Sequence, residues 1–341
     1  MTDNTDLKKP VNTFLRFPAG VEILSDESAP ATPLALFAQR DPTASNLSPA
    51  DGNDLAAYIN PATFLTEQEA QRIARVELAR QIAEEGKSVD TLNLFVHLPP
   101  DATLKQPLRV LVALHGVGAR GDVFANRLIA DADRNGWLLI APTINYRDHM
   151  DMKILMEEDL RYAKLLNDAL SALPSRLGIR LRQHTLVYGF SRGGQLAHRF
   201  ALLYPERVES VVSISAGTYT LPIEKRVSQS VTQNLPMPFG IGDFSQVVGH
   251  AFDSKHFNQI SFWVAVGDAD TRTSDVPRAF DDYGGRNRVQ RAYMFQETLK
   301  QIGVDARIAV FQGVGHEISG EMQKGALKFL RDDELFDKLN D

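Results

Sequence analysis

The feature that most constrains the fold is the stretch 186–197, where a short apolar strand runs into a glycine-flanked turn and then a helix. Its centre, Gly189-Phe190-Ser191-Arg192-Gly193, fits the pattern G-x-S-x-G, which holds a serine at the tip of a strained strand-to-helix turn. Glycines two positions away on either side remove side chains that would crowd it. The stretch predicts an exposed hydroxyl at a helix N-terminus, where the dipole favours a developing negative charge. The same letters also fit a glycine-rich connection whose serine only caps the helix.

Strands and helices alternate from residue 90 onward. The pattern predicts strands at 92–98, 108–114, 137–141, 185–188, 208–214, 262–266 and 307–311, and helices at about 122–134, 156–173, 288–302 and 319–331. The nearly continuous apolar run 108–114 is typical of a central parallel strand that is covered on both faces. The alternation predicts an α/β fold with a mostly parallel central sheet and helices on both faces.

The chain is predicted to comprise an N-terminal extension, residues 1–89, and an α/β domain, residues 90–335. The extension is rich in proline, and its one helix begins at a capping box formed by Thr66 and Glu69. Its apolar segment 13–17 fits either an edge strand or a segment laid across the surface. Within the domain, the interval 218–259 breaks the alternation with turn residues and aromatic side chains, which favours a lid or cap over a plain surface excursion.

A serine nucleophile needs a base, and the base needs an acid that orients it. Residues that converge on a ligand in a parallel sheet follow the carboxyl ends of its strands. His316 directly follows the last predicted strand, and Asp270 follows the strand before it, with Asp268 and Asp275 as competing acids. The resulting order of serine, aspartate and histidine is the order of the α/β-hydrolase arrangement.

An oxyanion site requires backbone N–H groups that point at the developing charge. Arg192, directly after the serine, supplies one such group. The second is predicted in the loop after strand 108–114, which reads His115-Gly116-Val117-Gly118, so Val117, helped by Gly116, is the candidate. His115 is expected to brace this loop by hydrogen bonding.

Residues 90–332 resemble the α/β-hydrolase superfamily through the elbow, the His-Gly loop, the Gly-x-x-Asp of 267–270 and the final Gly-His. The runs 159–162 and 188–194 are similar to esterases of the polyhydroxybutyrate depolymerase and feruloyl esterase group. The resemblance implies that the acid is Asp270, at the third position after its glycine. The chain lacks the signal peptide and the cysteines of the secreted members, which argues against an extracellular polymer as substrate.

These features predict a serine esterase that acts through an acyl-enzyme on a small-molecule or oligomeric ester. Its catalytic residues would be Ser191, Asp270 and His316, and its oxyanion hole Val117, Arg192 and Gly116. The alternatives are an amide or peptide hydrolase with the same machinery and a hydrolase-fold protein that binds without catalysis. An epoxide hydrolase or dehalogenase is disfavoured because these enzymes use a carboxylate where this chain has Ser191.

No cofactor and no metal are expected. The spacing H-x-x-D-x-x-H of 250–256 lacks a third histidine or a glutamate-containing zinc motif beside it.

His198 is expected to pack in the protein or to lie on the helix surface, and three further histidines are interpreted as structural: His97, His149 and His184. The Arg192 side chain would either reach into the site or lie solvated, and the arginines of 286–291 are predicted to form a solvated helix start.

Composition excludes several other classes. The formal net charge of −6 does not favour binding to nucleic acid or to an anionic membrane, which are themselves negative. No apolar run approaches the roughly 20 residues of a membrane span. The absence of cysteine excludes disulfides, thiolate metal sites and a cysteine nucleophile. The polar N-terminus has no secretory leader pattern, which predicts a cytoplasmic protein.

Overall fold

The computed structural model describes residues 11–18, 91–100, 106–228 and 231–331 of the chain. The helix predicted to begin at Thr66 lies outside these described residues. The strands in the described ranges are β1 (Val11–Pro18), β2 (Thr91–Leu98), β3 (Leu108–Leu114), β4 (Leu138–Thr143), β5 (Leu181–Phe190), β6 (Val208–Ile214), β7 (Lys225–Ser228), β8 (Val231–Asn234), β9 (Ser261–Gly267) and β10 (Ala306–Phe311).

Eight of these strands form one sheet, and β7 and β8 form a separate hairpin. The spatial order in the sheet is β1-β2-β4-β3-β5-β6-β9-β10. Strand β2 is antiparallel to both of its neighbours. The other six strands of the sheet are parallel to one another: β4, β3, β5, β6, β9 and β10. The carboxyl ends of β3, β5, β9 and β10 therefore meet at the same edge, where ligands bind in open α/β sheets.

The helices in the described ranges are α1 (Gly121–Ala125), α2 (Ile129–Asn135), α3 (Met152–Leu177), α4 (Arg192–Leu203), α5 (Phe244–Val248), α6 (Ser254–Phe257), α7 (Asp281–Gly284), α8 (Arg288–Gln301) and α9 (Gly320–Leu330). Helix α3 is longer than predicted because its ends carry strong caps. The Asp151 carboxylate accepts from the N–H groups of Lys153 and Ile154, and Gly178 adopts the left-handed conformation that ends the helix. None of the helices in the described ranges combines the length and the hydrophobicity of a membrane span.

Strand β3 shows why the sheet is covered on both faces. Val110, Val112 and Leu114 point into a core formed with α3, α4 and α8, whereas Leu111 and Ala113 point into a second core with α1, α2 and α9. Successive side chains of a strand alternate between faces, so an all-apolar strand needs two apolar surfaces to cover it. The predicted fold class, a mostly parallel sheet between two helical layers, is confirmed.

Two local predictions are refined by the structure. The single helix predicted over 122–134 is two helices, because the N–H of Leu128 bonds to Ala125 in a tight turn that buries the Leu128 side chain. The segment 13–17 is part of edge strand β1. There Leu15 and Phe17 face the core, and Phe14 on the other face is 55% exposed.

The interval 218–259 contains the β7–β8 hairpin, α5 and α6. Three of its aromatic side chains, those of Tyr219, Phe244 and Phe257, are buried in the core that includes α4 and α8. This part of the segment is thereby fastened to the sheet by apolar contact. Its role as a lid over the site stays a prediction.

Candidate active site

The turn between β5 and α4 holds Ser191 in a strained conformation, with φ 55° and ψ −117°. A non-glycine residue adopts a positive φ only where its surroundings enforce it. A Cβ atom on Gly189 would lie 2.2 Å from the Gly193 oxygen, and one on Gly193 would lie 2.0 Å from the Leu114 oxygen. Only glycine fits at either position, so this turn can form only with the two glycines of the G-x-S-x-G pattern.

Ser191, His316 and Asp270 form a continuous chain of hydrogen bonds. Ser191 Oγ lies 2.9 Å from His316 Nε2, and His316 Nδ1 lies 2.8 Å from Asp270 Oδ2. The Phe190 ring stacks on the imidazole with 5.1 Å between centroids. A hydroxyl in this position can lose its proton to Nε2 as it bonds to an electrophilic carbon, provided that the carboxylate stabilises the resulting imidazolium.

Asp270 and Asp268 have different surroundings. Asp270 is 2% exposed, and burial alone raises the pKa of a carboxyl group. The hydrogen bond and charge of His316, together with the Arg288 guanidinium, outweigh burial and lower the pKa of Asp270, so it is a carboxylate at neutral pH. Asp268 is exposed, and its Oδ1 accepts the N–H of Gly313 at 2.7 Å.

The loop that carries His316 is fastened to the loop that carries Asp270. The Ala269 N–H donates to the Val314 oxygen at 3.1 Å, next to the Gly313–Asp268 contact. A Cβ atom on Gly267 would lie 1.9 Å from that same Val314 oxygen. A glycine at the end of β9 therefore lets the two loops approach closely enough for the imidazole to meet the carboxylate.

The loop after β3 runs beside the serine. The His115 Nε2 accepts the Ile144 N–H at 3.0 Å, which leaves the ring proton on Nδ1 to donate to the Gly116 oxygen at 2.6 Å. Since a trans peptide directs its N–H opposite to its oxygen, the Val117 N–H points away from this ring. A Cβ atom on Gly116 would lie 3.2 Å from the Ser191 Cβ. Burial lowers the pKa of His115 to about 4, so His115 is a neutral brace.

Arg192 is the first residue of α4, so its backbone N–H has no acceptor within the helix. Its side chain follows neither of the predicted alternatives, because it is 1% exposed and points into the protein. There it donates to Asp159 Oδ1 at 2.6 Å, and the same carboxylate accepts from Arg199 at 2.7 Å. The Arg192 guanidinium carbon lies 4.8 Å from the centroid of the Tyr146 ring. This buried cluster attaches the start of α4 to α3.

The prediction of a solvated arginine cluster at 286–291 is wrong for Arg288 and Arg291, which are both buried. Arg288 Nη1 lies 3.2 Å from Asp270 Oδ1. Arg291 donates to the backbone oxygens of Gly217 and Pro277. Both side chains point inward because the loop after β9 offers acceptors to both of them, and the segment after β6 offers one more to Arg291.

Sequence reasoning missed Asp159 and Arg288. Arg192 and Arg199 are seven residues apart, hence on one face of an apolar helix, and this spacing could have indicated a buried acidic partner. No local signal identifies Arg288, since its partner Asp270 is 18 positions away across a loop.

The remaining histidines contact neighbouring protein groups. His198 lies within the core, between the Gly194 oxygen and the Thr220 N–H, and burial lowers its pKa well below the ordinary value. His97 contacts Asn12 and Asp133 through its two ring nitrogens. His256 pairs with Asp253, the cap of α6. In the described part of the chain, no three acidic or histidine side chains are grouped closely enough to hold a metal ion.

Comparison with known proteins points to the same fold. A family model described as alpha/beta hydrolase fold matches residues 109–235. LpqC, a poly(3-hydroxybutyrate) depolymerase from Bordetella parapertussis, is similar in structure, with a TM-score of 0.54 and 19% identity over 75% of this chain and 90% of that chain. For poly(aspartic acid) hydrolase-1 from Sphingomonas sp. KT-1, the TM-score is 0.51 and the identity 18%, over 70% of this chain and 93% of that chain. No curated protein sequence matches this chain.

This chain has the α/β-hydrolase fold. The resemblance to the α/β-hydrolase superfamily that the sequence predicted is confirmed. At these identities the similar structures establish the architecture alone.

Proposed function

We propose that this protein is a serine hydrolase that cleaves carboxylic esters. The observation that carries the proposal is the unbroken chain of hydrogen bonds from Ser191 Oγ through His316 to Asp270, at 2.9 and 2.8 Å. The strained turn places the hydroxyl at the N-terminus of α4, and Gly116 of the loop after β3 packs against Ser191. This combination serves acyl transfer and has no evident use in a protein that only binds.

In the proposed reaction, Ser191 Oγ attacks the ester carbonyl carbon while His316 Nε2 takes the hydroxyl proton. The carbonyl oxygen becomes an oxyanion that the N–H groups of Arg192 and Val117 stabilise, with Gly116 leaving room for the substrate. Asp270 holds the imidazole by its Nδ1 proton and stabilises the positive charge.

The tetrahedral intermediate then collapses, the bond to the alcohol oxygen breaks, and His316 transfers its proton to that oxygen. The acyl group stays on Ser191 as an ester. A water molecule attacks this ester while His316 Nε2 takes one of its protons. The resulting intermediate expels Ser191 Oγ, which receives that proton back from His316, and the carboxylic acid is released. The sequence of steps balances with water as the only co-substrate.

The domain assignment is part of the proposal. Residues 90–335 would form the catalytic domain, residues 1–89 an extension, and residues 218–259 a cap whose outer surface limits access. The expected substrate is a small-molecule or oligomeric ester. An amide is the second candidate, because one of the similar structures is a poly(aspartic acid) hydrolase and the same machinery can attack both bonds.

A fluorophosphonate probe tests the nucleophile. We expect the native protein to be labelled at Ser191, and Ser191→Ala and His316→Ala to lose labelling and roughly 10⁶-fold of turnover, which is loss to background. Ser274→Ala, a change of an exposed serine in the loop after β9, is the matched control and should label like the native protein. Labelling of Ser191→Ala to the native extent would refute the proposed nucleophile.

The bond class is decided by a second measurement. A panel of p-nitrophenyl esters of increasing acyl length is compared with aminoacyl p-nitroanilides, by kcat/KM. Higher values for the esters support the esterase, and higher values for the anilides would replace it with the amide hydrolase. A labelled protein that turns over neither series would point to a different leaving group.

A further inference from the structure

Arg288 lies at the first position of α8 and contacts the carboxylate that faces His316. Its Nη1 is 3.2 Å from Asp270 Oδ1 and 3.1 Å from Asp275 Oδ1. Its Nη2 donates to the Asp275 backbone oxygen at 3.4 Å. The side chain is 5% exposed, so its two terminal nitrogens depend on these protein acceptors and not on bulk water.

The two oxygens of Asp270 therefore have separate partners. Oδ2 faces His316 Nδ1, and Oδ1 faces Arg288 Nη1. A carboxylate with a donor on each oxygen cannot turn about its Cβ–Cγ bond without losing one of them. Because both partners are charged or can become so, both hydrogen bonds are charge-assisted.

Asp275 divides the guanidinium charge between two carboxylates. If Arg288 served Asp270 alone, it would neutralise much of the negative charge that the imidazolium needs. Since Nη1 is shared with Asp275 at nearly the same distance, Arg288 orients Asp270 while part of its charge is offset. The charged and titratable groups around it come from several elements: Asp270, Asp275, Arg291, His316, His149 and Tyr219.

We propose that Arg288 is a positioning residue that holds the Asp270 carboxylate in the plane that receives the Nδ1 proton of His316. The kinetic consequence rests on the proposed serine hydrolase function. The hydrogen bond itself can be observed without turnover.

Arg291 provides a matched control on the same helix. It is as buried as Arg288, and it donates to the backbone oxygens of Gly217 and Pro277 and to the Asp281 carboxylate. None of these acceptors belongs to the chain of Ser191, His316 and Asp270. Removing Arg291 therefore costs a buried cation without touching the Asp270 carboxylate.

The experiment compares the native protein with Arg288→Gln, Arg288→Lys and Arg291→Gln. Proton NMR detects the far-downfield Nδ1 proton of His316, assigned by its loss in His316→Ala. We expect the signal in the native protein and in Arg291→Gln, and its loss through exchange broadening in Arg288→Gln. Arg288→Lys should retain part of the signal, since an ammonium can reach one carboxylate but lacks the rigid fork.

Turnover of a p-nitrophenyl ester is the second readout. By analogy with residues that orient metal ligands, Arg288→Gln should lower kcat by about ten- to a hundredfold and change KM by less than about twofold. Arg291→Gln should stay within about threefold of the native kcat, and Arg288→Lys should recover part of the loss.

A native-like downfield signal in Arg288→Gln, or a loss of kcat no larger than in Arg291→Gln, would overturn the positioning role. Thermal unfolding first establishes that each variant is folded. If Arg288→Gln is not folded, Arg288→Lys decides, because an unweakened signal with native kcat contradicts the proposal. If the native protein is neither labelled nor active, the proposed function fails, and the NMR comparison still tests the role of Arg288.

Discussion

Single residues at the site differ in function according to what their side chains touch. Asp268 and Asp270 are two positions apart in one loop, yet only Asp270 is buried and bonded to His316. Asp268 supports the histidine loop from outside through the Gly313 N–H. Asp270 therefore orients the imidazole ring, and Asp268 orients the loop that carries it.

We expect Asp270→Asn to lower kcat by roughly 10⁴-fold, because an amide cannot hold the required histidine tautomer or stabilise its charge. Asp268→Asn should lower it less than about tenfold, since the amide oxygen can still accept from Gly313. Steady-state kinetics on one ester measures both. A larger loss in Asp268→Asn would move the acid to that residue.

At the scale of elements, the site depends on how β5 joins α4. The strand ends in the strained Ser191, and the helix is attached to α3 through the pairing of Arg192 and Arg199 with Asp159. A buried cluster of this kind contributes little net stability, but removal of one partner is costly. We interpret the pairing of these two arginines with Asp159 as the contact that sets the direction of α4 after the turn, and thereby the direction of the Arg192 N–H.

Gly189→Ala tests the close packing inside this element. Its Cβ would lie 2.2 Å from the Gly193 oxygen, so the turn must open, and we expect a loss of about 3 kcal/mol in unfolding free energy. Gly320→Ala, at the first position of α9 with no atom within 4 Å of the added Cβ, is the matched control and should be neutral or slightly stabilising. Urea unfolding compares the two, and equal midpoints would contradict the packing argument.

At the scale of the whole molecule, the core encloses two neutral histidines that have fixed tautomers. His115 braces the loop after β3, and His198 joins α4 to the segment after β6. Burial lowers the pKa of His115 to about 4 and that of His198 well below its ordinary value. Folding therefore requires both rings to stay uncharged.

Between pH 6.5 and about 4 the unfolded chain binds the proton at His115 and the folded chain does not, so stability falls as the pH falls. The shift corresponds to about 3 kcal/mol for His115, and His198 adds to it in the same direction. The lowered pKa of Asp270 acts only at lower pH, below the ordinary value of 3.8.

Urea unfolding at several pH values between 7 and 4.5 measures this dependence. His115→Asn should flatten the slope, and His250→Asn, a change at an exposed histidine, should leave it unchanged. A native unfolding free energy that does not vary over this range would contradict the assignment of neutral buried histidines.

The sequence by itself determined the architecture and the strand ends at which the candidate catalytic residues lie. Apolar strands alternate with amphipathic helices, which dictates a parallel sheet, and parallel strands place the segments after β5, β9 and β10 at one edge. Ser191, Asp270 and His316 were predicted to meet there, and they lie within hydrogen-bond distance. The architecture could be predicted because periodicity and turn chemistry are local properties of the chain. The catalytic roles of the three residues remain a proposal.

Only the tertiary structure decided which charges are buried and what they contact. Arg288 and Arg291 were predicted to be solvated at a helix start, and the Arg192 side chain was predicted either to reach into the site or to lie solvated. All three are buried and point inward to acceptors on other segments of the chain. The aromatic side chains of 218–259 likewise include core residues, which local composition does not reveal. The burial of a charge depends on which surfaces meet and on which acceptors they bring, and no short stretch of sequence contains that information.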